Sequence, residues 1–412
     1  MIDKRKERKE MKMKKENYQV TMIACFIGYI VQAIVNNFAP LLFVTFSGTY
    51  EIPLSQITLL VTINFGIQLA VDLLSAIFVD KIGYRISVLL AHAFAAIGLV
   101  LLTILPEVMA SPFIGILIAV AFYAIGGGLI EVLISPIVEA CPTDNKESAM
   151  SLLHSFYCWG HVGVVALSTV FFAVAGISHW RVLALLWVIV PVLNFFLFLK
   201  APIAPLLTEE EQGMSMFELL RDKIFWILLI MMTCSGACEQ AVSQWASTFA
   251  EKGIGMSKTV GDLAGPMMFA LLMGTSRAIY GKFGEKWNLD RFMIGSALLC
   301  ALSYLMISLV PSPVINLIGC GICGLSVGIM WPGSFSKASA VRKRGGTTMF
   351  ALLALGGDLG CSGGPTYVGM IASAFGDNLK MGVLCALVFP VLLIASIVLC
   401  RQLIKKETVH SA

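Results

Sequence analysis

The stretch GGGLIEVLISPIVEACP, residues Gly126–Pro142, lies within an apolar segment that is long enough to cross a lipid bilayer. It places one carboxylate, that of Glu131, near the middle of the segment. A charge at this depth is costly, so an acidic residue there marks a candidate functional site. The glycines before Glu131 and Pro136 after it predict a helix that packs closely on its neighbours and can bend. The alternative is a carboxylate that a neighbouring helix satisfies for structural reasons.

Apolar runs of this kind recur along the whole chain of 412 residues, of which 58% are hydrophobic and 13% are charged. In a soluble globular protein about a quarter of the residues are charged. At roughly 20 residues for each span, plus short loops, the length fits about twelve transmembrane helices. The composition therefore predicts an all-α, multi-pass membrane protein.

The basic residues are distributed asymmetrically about these spans. Eight of them precede the first apolar run, and most of the others fall in alternate loops. Lysine and arginine are enriched in cytoplasmic loops, so the pattern predicts that both termini are cytoplasmic and that the protein resides in the cytoplasmic (inner) membrane. The formal net charge of +4 reflects this distribution and does not indicate a nucleic-acid partner.

The longest polar interruption, KAPIAPLLTEEEQGMSMFELLRD at residues 200–222, divides the chain into nearly equal halves. We interpret it as a cytoplasmic linker between two bundles of six helices. The predicted organisation is a basic cytoplasmic tail over 1–16, an N-terminal bundle over 17–199, the linker over 200–222, a C-terminal bundle over 223–402 and a cytoplasmic tail over 403–412.

Two pairs of motifs recur at a nearly constant offset between these halves. Pro136 in span four and Pro332 in span ten are 196 residues apart, and each follows a glycine-rich run. The pattern Gly-His-x-Gly that begins at Gly160 matches Gly-Asp-x-Gly beginning at Gly357, 197 residues later. Together with the central linker, these matches predict a parallel duplication of six spans.

Polar side chains in the first half supply further candidates. Asn36 and Asn37 lie in span one and Gln68 in span two, where an amide needs a partner. The partner is either a hydroxyl of a bound solute or another helix. Span five carries Tyr157 and His154, and histidine changes its charge near neutral pH, so His154 is a candidate proton relay. A neutral, hydrogen-bonded histidine is the alternative.

Span seven of the second half carries Glu239, Gln240, Gln244 and Trp245. An aromatic ring beside amides and a carboxylate suits a polyhydroxylated ligand, because the ring stacks on the apolar face of a sugar while the amides bind its hydroxyls. The same set also suits other amphipathic ligands. Span eight carries Arg277, which we expect to pair with an acidic residue or a carbonyl as a gating latch, with a substrate anchor as the alternative.

The remaining candidates are Trp331 and Ser334 in span ten and Asp358 in span eleven. The eleven cysteines lie mostly within spans, and the Cys-x-x-Cys at Cys320 and Cys323 has no second pair, so we interpret them as packing residues and predict no metal site. No phosphate-binding loop or Ser/His/Asp set stands out, which predicts a protein that is not an enzyme and carries no cofactor.

The loop between spans two and three reads DKIGYR from Asp80, and it resembles the motif G-x-x-x-D-R/K-x-G-R/K-R/K of the major facilitator superfamily. Ala76 replaces the first glycine of that motif, and Tyr84 replaces a basic residue. The resemblance implies twelve helices in two six-helix bundles related by a pseudo-twofold axis, with a binding site at the midplane. It also implies a gating role for Asp80, Gly83 and Arg85.

Within that superfamily the chain resembles the fucose–galactose–hexose symporters. LIEVLISP, ending at Pro136, is similar to their span-four motif L-E-T-x-A-N-P, and the sequence around Trp331 is similar to W/F-P-x-x-F-S in their span ten. The resemblance puts Glu131 in the place of the proton-accepting glutamate. The chain departs from the family at Pro40, where those symporters have an aspartate, and at Ser135, where they have an asparagine.

The expected function is therefore secondary active transport of a small polar solute, with a sugar favoured, by alternating access and coupled to protons. A low dielectric disfavours the charged carboxylate, so Glu131 can hold a proton near neutral pH. Sodium coupling and either direction of transport stay open, and an exporter of amphipathic organic molecules or drugs is the alternative. A membrane sensor of the same fold is disfavoured, because the chain has no large soluble stretch.

The expected partners are the solute, a proton or Na⁺, and the lipid bilayer, and the expected state is a monomer. The residues predicted to couple protons are Glu131, Glu239, Asp358 and His154. The residues predicted to bind the solute are Asn36, Asn37, Gln68, Glu131, Tyr157, Glu239, Gln240, Gln244, Trp245, Trp331 and Ser334. The residues predicted to gate the transporter are Asp80, Gly83, Arg85 and Arg277.

Overall fold

The computed structural model describes residues 17–206, 213–244, 258–376 and 378–411 of the chain. All regular secondary structure in these residues is helical. Ten stretches of them are long and apolar enough to cross a membrane, and they correspond to ten of the twelve predicted spans. The other two spans, eight and eleven, are also helical, at Lys258–Phe283 and Gly346–Ala374, and are rich in glycine and polar residues.

The helices of the first half follow the predicted spans closely. They are α1 (Tyr18–Asn37), α2 (Phe43–Tyr50), α3 (Leu54–Ile82), α4 (Tyr84–Val108), α5 (Pro112–Ala140), α6 (Lys146–Ala175) and α7 (Trp180–Lys200). The described helices of the second half are α8 (Met216–Arg221), α9 (Lys223–Ser243), α10 (Lys258–Phe283), α11 (Leu289–Leu309), α12 (Pro313–Val327), α13 (Met330–Val341), α14 (Gly346–Ala374), α15 (Leu379–Cys385) and α16 (Val388–Ser411).

The chain forms two compact units. The first comprises Met1–Asp144 and Val164–Gln212, and the second comprises Asn145–Gly163 and Gly213–Ala412. The division falls inside α6, so the first part of this helix belongs to the second unit. The described part of the predicted linker contains the short helix α8, which begins with a capping box between Ser215 and Glu218. The stretch predicted as a C-terminal tail is helical as far as Ser411.

Prolines interrupt some spans and leave others continuous. Span one ends as an α-helix at Asn37 and continues as a 3₁₀ turn, Ala39–Leu42, because Pro40 has no N–H to donate. Span ten is divided at Gly328 into α12 and α13. The helix α5, in contrast, runs through Pro136 to Ala140 without a break.

The three glycines that precede Glu131 each allow a different neighbouring helix to approach α5. A Cβ at Gly126 would lie 2.6 Å from the backbone nitrogen of Ala95 on α4. A Cβ at Gly127 would lie 3.1 Å from Val35 on α1, and one at Gly128 would lie 3.1 Å from Cα of Gln68 on α3. Close helix packing through small residues is typical of membrane proteins. These contacts bring α1 and α3 against the part of α5 that carries Glu131.

Candidate functional site

Glu131 on α5 accepts a hydrogen bond from a neutral amide. Nε2 of Gln32 on α1 donates to Oε2 of Glu131 at 2.7 Å. Gln32 is buried, with 3% of its surface exposed, while Glu131 is partly exposed. Glu131 therefore lies on a largely buried helix with a hydrogen-bond donor fixed on one of its oxygens.

Three further amides continue this arrangement along α1 and α3. Oδ1 of Asn36, one helical turn after Gln32, accepts from Nε2 of Gln68 at 2.9 Å and from Nδ2 of Asn64 at 3.4 Å. Gln68 and Asn64 are both buried. We call Gln32, Asn36, Asn64 and Gln68, together with Glu131, the amide cluster. It gathers polar groups from three helices in an otherwise apolar part of the first unit.

Asn37, which the sequence paired with Asn36, lies outside this cluster. Its Nδ2 donates to the carbonyl of Ala33, one turn back on the same helix, at 2.9 Å. The predicted pair thus divides into one residue that bonds to another helix and one that bonds to its own.

In the second unit, Glu239 on α9 forms an ion pair with Arg277 on α10. Nη2 of Arg277 lies 3.2 Å from Oε2 of Glu239, and 4% and 13% of the two side chains are exposed. The guanidinium has three further acceptors: the carbonyl of Gly328 at 2.8 Å, the carbonyl of His154 at 3.2 Å and the sulfur of Cys158 at 3.1 Å. A guanidinium with four such bonds is held firmly in place, because moving it would break several of them at once.

The other polar candidates on α9 lie beside or beyond this ion pair. Nε2 of Gln240 donates to Oε1 of Glu239 at 3.5 Å, at the limit of a hydrogen bond. Gln244 is the exposed residue that follows the last turn of α9. Trp245 lies outside the described residues, so its predicted role as a stacking platform stays a prediction.

Span ten contributes an aromatic group and a hydroxyl. Trp331 is 7% exposed, and its ring packs edge-on against Phe335 with centroids 6.3 Å apart. Its indole also lies against Gly357 on α14, where a side chain would collide with it. Ser334 is fully buried and donates to the carbonyl of Met330 at 2.7 Å. Its hydroxyl also lies 3.1 Å from that of Ser235 on α9, so Ser334 links α13 to α9.

The predicted proton-coupling residues occupy different environments. His154 on α6 is 4% exposed and stacks on Phe335, with ring centroids 5.9 Å apart. Tyr157, about one turn further along α6, is partly buried. Asp358 on α14 is also partly buried, next to Gly357. His154 therefore joins the surroundings of Arg277 and Trp331 within the second unit.

The predicted gating residues at the loop between α3 and α4 have a clear local structure. Gly83 ends α3 and precedes α4 with φ of +91°, a value that favours glycine. Asp80 is exposed in the last turn of α3. Arg85 donates to the carbonyls of Phe198, Leu199 and Ala201, at 2.8, 2.9 and 2.9 Å. These carbonyls end α7, so Arg85 caps that helix.

Gln32 and Asn64 are the members of the amide cluster that the predicted site lacks. Both are amides in apolar spans, and each stands four residues before a predicted residue, Asn36 or Gln68. This spacing places each pair on one helix face and is the signal that would have found them. Among the described residues, no group of three or more His, Cys, Asp or Glu side chains is placed to hold a metal ion.

In a comparison with protein families, the model of the Major Facilitator Superfamily matches residues 21–365. A search of curated proteins finds no match. Solved structures with a similar fold include the E. coli fucose:proton symporter FucP, with a TM-score of 0.79 and 15% identity, over 93% of this chain and 99% of that one. The proton:xylose symporter XylE has a TM-score of 0.79 and 12% identity, over 94% and 96%.

The human organic anion transporter MFSD10 is also similar, with a TM-score of 0.71 and 15% identity over 93% of this chain and 100% of that one. At such low identities these likenesses show the fold alone. Together with the family match, they confirm the predicted fold class, an all-α membrane protein with the major facilitator fold.

Proposed function

This chain belongs to the major facilitator superfamily of membrane transporters, and on that premise we propose that it moves a small polar solute, of the sugar class, in symport with protons. The observation that carries the proposal is the contact between Glu131 and Gln32. It places a carboxylate, supported by a neutral amide, in the middle of an apolar helix. Such a group can take up a proton to remove a buried charge, and release it when water reaches the site.

The amide cluster supports a hydroxylated solute. Amide side chains can both donate and accept, as a sugar hydroxyl does, so they can exchange their mutual hydrogen bonds for bonds to a solute. Asn36 and Gln68 are joined by such an exchangeable bond, at 2.9 Å. Two of the similar structures, FucP and XylE, are sugar:proton symporters, which favours the same solute class here.

Glu131 and Glu239 are proposed to have different roles. Glu239 faces the guanidinium of Arg277, which favours its charged form, so we assign it to accept a hydroxyl of the solute. Glu131 accepts a hydrogen bond from Gln32, whose amide can bond to a carboxylate or to a carboxylic acid, so we assign Glu131 to carry the proton. His154 and Asp358 remain secondary candidates for proton coupling, and Arg277 is proposed to stabilise the second unit as a gating latch.

We further propose a monomer in the cytoplasmic membrane with both termini in the cytoplasm. The asymmetric distribution of lysine and arginine between alternate loops supports this orientation. The predicted bundles, 17–199 and 223–402, then move as the two halves of an alternating-access transporter, with 200–222 as their linker.

The test uses purified protein in proteoliposomes, with L-fucose, D-xylose and D-glucose as labelled solutes. We expect Glu131→Gln to keep exchange of the solute across the membrane but to lose accumulation driven by a pH gradient. Glu285→Gln, a matched change at an exposed loop residue, is expected to keep both activities. Full uphill uptake by Glu131→Gln would reject the proposal.

A transporter of amphipathic organic molecules is the second candidate. The similarity to the organic anion transporter MFSD10 and the 25 phenylalanines and 20 methionines of the chain favour it. Competition separates the two candidates. A sugar symporter binds a labelled sugar that unlabelled sugars displace, whereas a transporter of the second kind binds a labelled lipophilic organic anion that unlabelled sugars do not displace.

A further inference from the structure

We propose that Gln32 is the positioning residue for the proton carrier, and that its amide supports Glu131 in both protonation states. In the charged state the amide nitrogen donates to the carboxylate. In the protonated state the amide turns over by rotation about its terminal bond, so that its oxygen accepts the hydrogen of the carboxylic acid. The inference rests on the proposed role of Glu131 and adds the residue that makes its protonation reversible.

The geometry of the contact supports the first state. Nε2 of Gln32 lies 2.7 Å from Oε2 of Glu131, a length typical of a hydrogen bond to a charged acceptor. Gln32 itself is buried, so its amide has little water to bond to instead. The charged form of a carboxylate on this apolar, largely buried helix would be more costly without this donor.

The chemistry of glutamine supports the second state. Its side chain carries two N–H donors and a carbonyl acceptor on one planar group, so half a turn exchanges them. A lysine or arginine at this position would hold the carboxylate charged, and an apolar residue would favour the acid. An amide can bond to either form, and it therefore suits a carboxyl group that changes its protonation in every transport cycle.

Three helices pack against α5 in the first unit, namely α1, α3 and α4. Their titratable and charged side chains are Tyr18, Cys25 and Tyr29 on α1, Asp72, Asp80 and Lys81 on α3, and Tyr84, Arg85, His92 and Glu107 on α4. Two of these side chains form buried hydrogen bonds. The hydroxyl of Tyr29 lies 3.0 Å from that of Ser135, and Nε2 of His92 lies 2.7 Å from Nδ2 of Asn194. Asp72 is fully buried, next to Val71, which lies against Gly128.

Asp72 is a buried acidic residue on α3, one of the helices that pack against α5, so the effect of its charge is measured separately from that of Gln32. Replacing Asp72 by asparagine removes a charge but leaves the amide donor in place. Replacing Gln32 by methionine, which has a similar length, removes the donor and the acceptor and leaves every charge in place.

The experiment is an infrared titration of the purified full-length protein in lipid nanodiscs without added solute. The carboxyl band of Glu131 is assigned by its loss in Glu131→Gln. We expect Gln32→Met to move the midpoint of this band upward by about one pH unit, a tenfold change in proton affinity, because the bond lost to the charged form is stronger than the bond lost to the acid. Gln32→Asn, whose amide ends one carbon short, is expected to shift the midpoint in the same direction.

Gln19→Met is the matched control, since it removes a glutamine side chain at an exposed position on the same helix, α1. We expect its midpoint to equal that of the wild type. We also expect the midpoint shift caused by Gln32→Met to be the same when both proteins carry Asp72→Asn. Thermal unfolding of each variant verifies that it is folded.

Two results would contradict the inference: one would overturn the role of Gln32 only, and the other would also overturn the role of Glu131. A midpoint that stays unchanged in folded Gln32→Met and Gln32→Asn overturns the role of Gln32 alone. A Glu131 band that does not titrate between about pH 4 and pH 10 overturns both this role and the proposed proton carrier. Loss of uphill transport in Glu131→Gln tests the proposed function separately.

Discussion

The guanidinium of Arg277 is bonded to Glu239 at 3.2 Å and, at the same time, to the carbonyl of Gly328 at 2.8 Å. The first bond joins α10 to α9, and the second joins α10 to the break between α12 and α13. One buried cation thus ties three helical segments of the second unit together. The backbone carbonyl of Arg277 also accepts a hydrogen bond from the hydroxyl of Ser151 on α6, at 2.8 Å.

We expect Arg277→Met to destabilise the protein by about 3–5 kcal/mol, because it leaves the carboxylate of Glu239 buried without its cation. Glu239→Gln should cost less, since Arg277 keeps three other acceptors. Thermal unfolding in detergent measures both. Arg291→Met, at an exposed position on α11, is the control, and an equal loss of stability in all three variants would contradict this account.

The glycines before Glu131 should differ in their tolerance of a side chain. Gly126→Ala is expected to destabilise by about 2 kcal/mol or more, because the new Cβ meets the backbone of Ala95 at 2.6 Å and α4 has to move. Gly127→Ala should cost less, because its closest neighbour is a side-chain methyl of Val35, at 3.1 Å. Gly66→Ala, which meets nothing within 4 Å, is the control. Thermal unfolding of each variant measures the effect. A larger loss of stability in Gly127→Ala than in Gly126→Ala would contradict this prediction.

Arg85 should be hard to replace by another cation. Its planar guanidinium reaches three carbonyls at the end of α7, which a lysine ammonium on a flexible chain cannot match. We expect Arg85→Lys to lower stability by about 1–2 kcal/mol. The measurement is thermal unfolding, with Lys286→Gln at an exposed loop position as control. If Arg85→Lys unfolds like the wild type, the charge alone is what matters at this loop.

The ion pair between Asp222 and Arg342 predicts a dependence of stability on pH. Nη2 of Arg342 donates to Oδ1 of Asp222 at 3.1 Å. Partial burial raises the pKa of Asp222, but hydrogen bonds from Arg342 and from the backbone of Ile224 outweigh it and leave the pKa below its ordinary value. A lowered pKa in the folded state gives stability that is present above the ordinary aspartate pKa of about 3.9 and is lost as the pH falls through the folded value.

We therefore expect Asp222→Asn to be less stable than the wild type by about 1–3 kcal/mol at neutral pH. The difference should shrink as the pH falls from about 5 to about 2, because the wild-type carboxyl then takes up a proton. Thermal unfolding over this range measures it. Asp144→Asn, the same change at an exposed position before α6, serves as the comparison, and a difference that stays constant with pH would count against the ion pair.

The sequence alone determined where the helices lie. Span two is the helix α3, Leu54–Ile82, and the apolar segment that carries Glu131 is the helix α5, Pro112–Ala140. This works because a chain in lipid has to satisfy its backbone within each span, so apolar length and polar punctuation suffice. Glu131 was recognisable for the same reason, since a carboxylate in such a span is rare.

Only the tertiary structure decided which polar groups meet. It joins Glu131 to Gln32 and Arg277 to Glu239, and it separates Asn36, which bonds to Gln68, from Asn37, which bonds to its own helix. Hydrophobicity fixes the depth of a helix in the membrane but not its rotation about its own axis. That rotation is set by close contacts between helices, such as those at Gly126 and Gly128, which depend on residues far apart in the chain.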